Sequence, residues 1–339
     1  MQQIKLVIFF IFCAFGVFSQ NLHTPSELQN MVKNSDLVYL YDTLTELPTV
    51  DSLHIISKIS DFSIAEKENF VDLSGYSLSR KAKKSLKKAN NYFSSGKYTK
   101  AFKLYTGLYE STKASKMLPL LAHCADLADK NETGLTYYKQ LLLLAPKSPN
   151  ILFAMANLEH KSGHLDAAIR HISFAHLFDR NNPVILDALI SIFRSKGFEY
   201  QHISFEPRYQ LLANPDSSIV IKTAGIPWQA FATCKAIWAH EPGYKEKMKF
   251  ISSADVKIIE KKECLLSALL SYERLPEERA NYPILATLSD ALSEKRIDDF
   301  ILYEITSKEH PAIMERLSEI RLEQMVDYIM LYKVRMRLN

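Results

Sequence analysis

Two short segments of this chain share one pattern of residue types and stand at a regular distance from each other. They are Gly96-Lys97-Tyr98-Thr99-Lys100-Ala101 and Gly163-His164-Leu165-Asp166-Ala167-Ala168. Gly134 lies between them, 33 residues after Ala101 and 34 residues before Ala168. A small residue that recurs about every 34 positions is typical of helix–turn–helix repeats, because small side chains stand where two helices cross closely. The spacing therefore predicts a stack of helix pairs.

About four repeats are predicted between residues 80 and 215. The third is the clearest, because Gly163 and Ala168 fall in register with the first repeat. The fourth begins well, with Pro183 at the first position of a helix, but it has His202 where a small residue is expected. Terminal repeats are often atypical because they cap the stack, so we expect the array to end there.

The region from Ala82 to about Pro215 resembles the tetratricopeptide repeat (TPR) family. That resemblance implies a right-handed stack of antiparallel helix pairs, in which the first helices line a concave groove. A later block, Cys234-Lys235-Ala236-Ile237-Trp238 followed by Glu241-Pro242-Gly243-Tyr244, resembles a segment of poorly characterised exported bacterial repeat proteins. The second likeness implies no activity.

Alignment of the repeats with one another gives two rows of side chains in the implied groove. Most are polar groups at positions that a core would not choose, so we expect them to contact a ligand. The alternative is that they are solvated residues of a concave surface. The predicted groove residues are Asn90, His123, Asn157 and Ser191 in one row and Phe93, Asp126, His160 and Arg194 in the next.

The remainder of the chain, residues 216–339, is predicted to be an α-helical C-terminal domain. Pro227, Pro283 and Pro311 are expected near helix starts, and a final helix is expected near Glu323 to Arg337. The predicted fold class is therefore all-α, a TPR-type α-solenoid followed by an α-helical C-terminal domain.

Residues 1–19 predict a secretory signal peptide. Lys5 supplies a positive start, and the segment from Leu6 to Phe18 is almost wholly apolar but short for a membrane span. An uncleaved anchor, or a lipid-attachment site at Cys13, are the alternatives. The segment 20–79 stays unassigned, apart from a helix start at Thr24-Pro25-Ser26-Glu27.

Charge and cysteine content add two constraints. The net charge is +4 without a basic stripe of the kind that nucleic-acid binders carry, so no nucleic-acid partner is expected. The dense basic run from Arg80 to Lys88 predicts a solvated helix side, with contact to an anionic surface as the alternative. Cys124, Cys234 and Cys264 remain after export, and we expect buried free thiols, with one disulfide plus one thiol as the alternative.

No residue pattern predicts a metal or cofactor. His160 and His164 have the spacing of two ligands on one helix face, but Gly163 ends that helix between them and the glutamate of a metalloprotease motif is absent. The glycines are dispersed, so no phosphate-binding loop is expected either. We therefore expect no cofactor and no metal.

The predicted function is an exported, non-enzymatic scaffold, periplasmic or extracellular, that binds a protein or peptide partner in the groove. One alternative is an enzyme whose site lies near His240, Glu241 or Asp298 in the C-terminal helices. Another is an envelope assembly factor held at the membrane by a retained N-terminus. The pattern identifies neither the partner nor the oligomeric state.

Overall fold

The computed structural model describes residues 22–44, 78–245 and 252–336, and the chain is mostly helical over these ranges. The predicted signal peptide and most of the unassigned segment 20–79 lie outside the described residues. The chain divides into two compact units. We call residues 22–44, 202–245 and 252–306 the sheet unit, and residues 78–201 and 307–336 the array unit.

The helices and strands are numbered in chain order. The short 3-10 helices Ser115–Met117, Pro276–Asn281 and Pro311–Arg316 and the π-helix Ile301–Thr306 carry no label. The elements are α1 (Pro25–Asn34), β1 (Val38–Thr43), α2 (Arg80–Ser94), α3 (Tyr98–Thr112), α4 (Leu118–Leu127), α5 (Asn131–Leu144), α6 (Pro149–Lys161), α7 (Leu165–Phe178), α8 (Pro183–Ser195), β2 (Phe198–Tyr200), β3 (Tyr209–Ala213), β4 (Ser218–Thr223), α9 (Ile226–His240), α10 (Ser253–Glu273), α11 (Pro283–Ser293), α12 (Ile297–Phe300), α13 (Ser307–Glu309), α14 (Glu319–Tyr332) and β5 (Val334–Met336).

The predicted period is visible in the turns of the array unit. Each of the helices α2, α4, α6 and α8 is followed by a residue in the left-handed region, which favours glycine or a short polar residue. In the first three turns the next backbone N–H donates to a carbonyl five residues earlier, as Lys97 does to Tyr92 at 2.8 Å. The turn residues, separated by 33, 34 and 34 positions, are Gly96, Asp129, Gly163 and Gly197.

Successive helix pairs of the array unit share apolar cores. One core joins α2, α3 and α4 around Tyr105 and Leu121, and the next joins α4, α5 and α6 around Tyr138 and Leu158. Ala101 and Ala168, the small residues of the sequence pattern, are completely buried. Each pair therefore depends on its neighbour for burial of its apolar side, as expected for a repeat array.

The fourth repeat departs from the prediction after its first helix. Pro183 begins α8, as predicted, and the Asn182 side chain caps the helix. The expected second helix is absent from the described chain at this point, where β2 forms instead and pairs antiparallel with β5. The prediction of a final helix to Arg337 was wrong at its end, because α14 stops at Tyr332. Residues 307–336 thus belong to the array unit and not to a separate C-terminal region.

Helix α14 packs within the array unit on α7. Glu319 and Glu323 of α14 form ion pairs with Arg170 of α7, the first at 3.5 Å. Leu322 and Met325 of α14 are buried. Helix α7 of the third repeat is therefore partly covered by an element that the repeat period did not predict.

The sheet unit contains a three-stranded sheet in the order β1-β4-β3. β4 pairs in parallel with β1 and antiparallel with β3. One face of the sheet packs on α9, where Ile219 and Ile221 meet Ala232 and Ala236. Part of the segment that we predicted to be entirely helical therefore forms strands, because a partner strand from the start of the chain completes the sheet.

Several predicted helix boundaries are confirmed. Thr24 and Glu27 form a reciprocal capping box at the start of α1. Pro227 lies in the first turn of α9, and Pro283 begins α11. Pro311 begins a 3-10 helix and not an α-helix. These boundaries were predictable because capping depends on residues adjacent in the sequence.

Within the three described ranges, no helix combines the length and the apolar character that crossing a membrane requires.

Candidate functional site

The first helices of the array, α2, α4, α6 and α8, contact one another in sequence. The rings of Phe93 and His123 have their centroids 6.0 Å apart and connect α2 with α4. Lys161 Nζ lies 3.1 Å from Asp126 Oδ1 and connects α6 with α4. These contacts join α2, α4 and α6 into one continuous surface, which extends to α8 through the hydrogen bond between His160 and Ser195.

His160 Nε2 lies 2.8 Å from Ser195 Oγ, and this hydrogen bond connects α6 with α8. Seven predicted groove residues reach solvent on the first helices. Five of them are half-buried, and Ser191 and Arg194 are exposed. We call this set the first-helix face: Phe93, His123, Asp126, Asn157, His160, Ser191 and Arg194.

Asn90 does not belong to that face. Its residue is buried, 4% exposed, and its Oδ1 accepts a hydrogen bond from the Tyr105 hydroxyl at 2.8 Å. Burial raises the pKa of Tyr105, which keeps the hydroxyl protonated as the donor. Asn90 was predicted to contact a ligand, but it pairs α2 with α3 inside the first repeat.

The charges on the first-helix face are partly neutralised. Lys161 bonds both Asp129 and Asp126, and these hydrogen bonds raise the pKa of its ammonium group. The Asp126 carboxylate is therefore engaged. Arg194 lies at the other end of the face and is exposed, with a guanidinium that can donate five hydrogen bonds.

The basic run on α2 has the predicted orientation. Ala82, Leu86 and Ala89 point toward the first core of the array, whereas the lysines of the run are exposed. The alternation follows the helical period, so the run is a solvated side of the first repeat helix. The exposed lysines are Lys81, Lys83, Lys84, Lys87 and Lys88.

The two histidines with ligand-like spacing do not converge. His160 bonds Ser195, while His164 stands at the start of α7, 3.8 Å from Glu132 on α5. No group of three or more histidine, cysteine or acidic side chains with metal-binding geometry occurs among the residues that the structure describes.

A polar cluster in the sheet unit surrounds the buried carboxylate of Glu263. Glu263 Oε1 accepts from the His23 backbone N–H at 2.7 Å and lies 3.1 Å from His23 Nδ1. Its Oε2 accepts from Trp238 Nε1 and from the Tyr244 hydroxyl, both at 2.7 Å. Burial raises the pKa of Tyr244, so its hydroxyl stays a donor.

Sequence reasoning missed this cluster. The only local sign was a charged residue, Glu263, directly before the apolar run Cys264-Leu265-Leu266 on a helix. The partner His23 lies 240 residues earlier in the chain. Since both oxygens of Glu263 already accept hydrogen bonds, the cluster fastens the segment before α1 to α9 and α10.

The three residues of the enzyme alternative lie in different surroundings, and none of them contacts another in the hydrogen bonds and ion pairs given below. His240 is exposed at the end of α9, where the helix dipole favours a histidine. Glu241 Oε2 accepts from Ser35 Oγ at 2.8 Å and from the Tyr39 hydroxyl at 2.7 Å. Asp298 pairs with Lys262 at 2.7 Å. Both carboxylates therefore have structural partners within the sheet unit.

The remaining aromatic and cysteine predictions concern burial. Trp228 and Trp238 are both buried in packing positions. Cys124, Cys234 and Cys264 are buried thiols. Cys124 Sγ donates to the Tyr98 carbonyl at 3.4 Å, and burial raises its pKa to about 12.

Comparison of the whole chain with protein-family models and with curated proteins gives no match.

Proposed function

We propose that this protein is an exported, non-enzymatic scaffold of the tetratricopeptide type, which binds a segment of a partner protein on its first-helix face. Periplasmic or extracellular location is part of the proposal and rests on the apolar segment at residues 1–19. The observation that carries the proposal is the chain of contacts from α2 through α4 and α6 to α8.

A continuous surface that several helices form can bind an extended peptide along its length, which separate residues cannot do. A peptide can contact side chains from successive repeats, and each contact adds to affinity without a deep pocket. Phe93 offers an aromatic surface, Asn157 offers an amide, and Arg194 offers a forked cation for carboxylates or carbonyls. Phe93 and Asn157 are half-buried, so they lose little entropy on binding because their neighbours already restrict them.

Two of the three residues of the enzyme alternative have side-chain partners in the sheet unit, which favours a scaffold, while the third, His240, is exposed. Glu241 and Asp298 are engaged by neighbouring side chains, and Glu263 has both oxygens occupied. A general acid or base needs a free position within hydrogen-bond reach of its substrate.

Site-specific photocrosslinking in the native host tests the proposal. A photoreactive residue at Ser191 on the first-helix face should form an adduct with a defined partner protein. The same residue at Lys139, an exposed position of the second helix α5, should not. The triple variant Asn157→Ala, His160→Ala, Arg194→Ala should lose the Ser191 adduct while helicity by circular dichroism stays unchanged.

A matched control triple changes exposed residues of second helices: Lys103→Ala, Thr133→Ala, Lys139→Ala. It should keep the adduct. No adduct at Ser191, equal adducts at both positions, or an adduct that survives the Asn157, His160 and Arg194 substitutions would each contradict binding on the first-helix face.

A further inference from the structure

Cys234 and Cys264 face each other in the interior of the sheet unit. Cys234 lies on α9 and is 1% exposed, and Cys264 lies on α10 and is completely buried. Their sulfur atoms are 2.9 Å apart. This separation is only about 0.9 Å longer than a covalent S–S bond of about 2.05 Å.

The packing of α9 against α10 fixes the two cysteines at the same level. Lys235 Nζ and Glu260 Oε1 form an ion pair at 2.7 Å beside the sulfurs. Trp238 Nε1 donates to Glu263 Oε2 at 2.7 Å, one turn further along α9. Because polar contacts stand next to the cysteines on both helices, neither helix can slide without breaking them.

We propose that Cys234 and Cys264 form a disulfide that joins α9 to α10, while Cys124 stays a thiol. The third cysteine lies on α4 of the array unit, and its sulfur contacts a backbone carbonyl. Both sulfurs are free thiols in the structure, so the proposal concerns their oxidation, the alternative that the sequence left open. It does not depend on partner binding by the first-helix face.

The bond forms by thiol–disulfide exchange with a disulfide oxidant, either a small disulfide such as oxidised glutathione or a protein disulfide donor. The thiolate of one cysteine attacks the donor S–S bond, which gives a mixed disulfide and releases one donor thiol. The second cysteine, as thiolate, attacks the protein sulfur of the mixed disulfide and releases the other donor thiol. Two protein thiols are oxidised, and one donor disulfide is reduced to two thiols.

Burial determines when the exchange takes place. Burial in the folded unit raises the pKa of Cys234 well above its ordinary value, so the reactive thiolate is scarce there. Formation of the mixed disulfide therefore precedes the complete closure of α9 on α10, which brings the second cysteine to it. The same burial keeps reductants away from the finished bond.

Peptide mapping of the full-length protein tests the proposal directly. The reduced, unfolded chain is refolded with a mixture of oxidised and reduced glutathione, alkylated in denaturant and digested without reductant. The expected products are one linked peptide that contains Cys234 and Cys264, and alkylated peptides of Cys13 and Cys124. Separate alkylated peptides of Cys234 and Cys264, or a linkage that includes Cys13 or Cys124, would overturn the proposal.

Thermal unfolding gives a second readout on the same protein. The linkage closes a loop of 30 residues. We expect oxidised protein to unfold about 10 °C above reduced protein, because the bond restricts the unfolded chain. Cys124→Ser should keep this shift, and Cys264→Ser should lose it. If Cys264→Ser does not fold, the comparison of oxidised with reduced wild-type protein still decides, and equal midpoints would count against the bond.

Discussion

Gly134 shows how a single residue sets the distance between neighbouring helices. A Cβ atom at this position would lie 2.8 Å from Leu158 Cδ2 and 3.3 Å from the backbone oxygen of Ala122. The leucine methyl group can move, but the carbonyl oxygen belongs to α4 and cannot move without the helix. The close approach of α5 to α4 therefore depends on the missing side chain.

We predict opposite effects for the same substitution at two glycines. Gly134→Ala should lower the free energy of unfolding by about 1–3 kcal/mol, because the added methyl group overpacks the crossing. Gly107→Ala in α3 should raise it by about 0.5–1 kcal/mol, since an added Cβ there meets nothing within 4 Å and alanine favours the helix. Urea denaturation of both variants measures the difference. A stabilised Gly134→Ala protein would show that the helices do not cross closely.

Glu263 is a second case at the residue scale, a charged side chain in a buried position. Its side chain is fully buried, at 0% exposure. A buried carboxylate is costly unless hydrogen bonds replace its water. Here donors from His23, Trp238 and Tyr244 satisfy both oxygens. The burial of Glu263 is therefore explained by hydrogen-bond partners that lie far from it in the sequence.

At the scale of elements, helix α7 is the second helix of the third repeat, which has the clearest sequence pattern. Ala168 is completely buried, and the next residue toward the N-terminus, Ala167, is half-buried. Two alanines with such different environments allow one substitution to be compared at adjacent positions of the same helix.

Ala168→Glu should unfold the array unit or destabilise it by about 3 kcal/mol or more, because an unpaired carboxylate would be buried between helices. Ala167→Glu should change the free energy of unfolding by less than about 1 kcal/mol, since its carboxylate can reach water. Circular dichroism during chemical denaturation measures both. If Ala168→Glu folded with the stability of the control, the register of the repeats would be wrong.

The strands differ from the helices in how far away their partners lie. The repeat helices meet neighbours within one period, so their pattern is visible locally. β4 pairs with β1 about 180 positions earlier in the chain, as in the contact of Ser218 with Val38. A run such as Ser218-Ile219-Val220-Ile221 is compatible with a buried strand or a buried helix until its partner is known.

At the scale of the whole molecule, neither compact unit is a continuous piece of chain. The sheet unit contains residues from before and after the repeat helices, and the chain returns to the array unit at residue 307. Lys333, from this returning segment, is buried within the array unit, 1% exposed. Its charge, with that of Arg180, acts on His176 of α7.

His176 makes the stability of the protein depend on pH. Burial, followed by the charges of Arg180 and Lys333, lowers the pKa of His176 from 6.5 to about 3. Below pH 6.5 the unfolded chain binds a proton that the folded chain does not bind, so stability is lost as the pH falls toward 3. Above 6.5 this contribution is fully present.

We expect the protein to lose about 2 kcal/mol from this group between about pH 7 and about pH 5. His176→Gln removes the titration, so the difference in unfolding free energy between wild type and variant should change with pH by that amount. Urea denaturation at several pH values measures it. A constant difference across this range would show that His176 is protonated equally in both states.

The sequence by itself determined the features that depend on neighbouring residues or on one repeat period. These include the turn spacing from Gly96 to Gly197, the cap at Thr24, the start of α8 at Pro183 and the buried small residues. It also predicted seven residues of the first-helix face that reach solvent, because helix periodicity fixes which side of a first helix points away from the core.

The tertiary structure alone decided the features with distant partners. Asn90 is buried and not in the predicted groove, because the Tyr105 hydroxyl donates a hydrogen bond to it. Residues 218–223 form the strand β4 because β1 pairs with them. The buried carboxylate of Glu263 accepts a hydrogen bond from His23, which lies far from it in the sequence. The packing of α9 on α10 places Cys234 beside Cys264. Local patterns report backbone preference and burial, whereas the partner of a buried polar group or of a strand depends on how the chain folds back on itself.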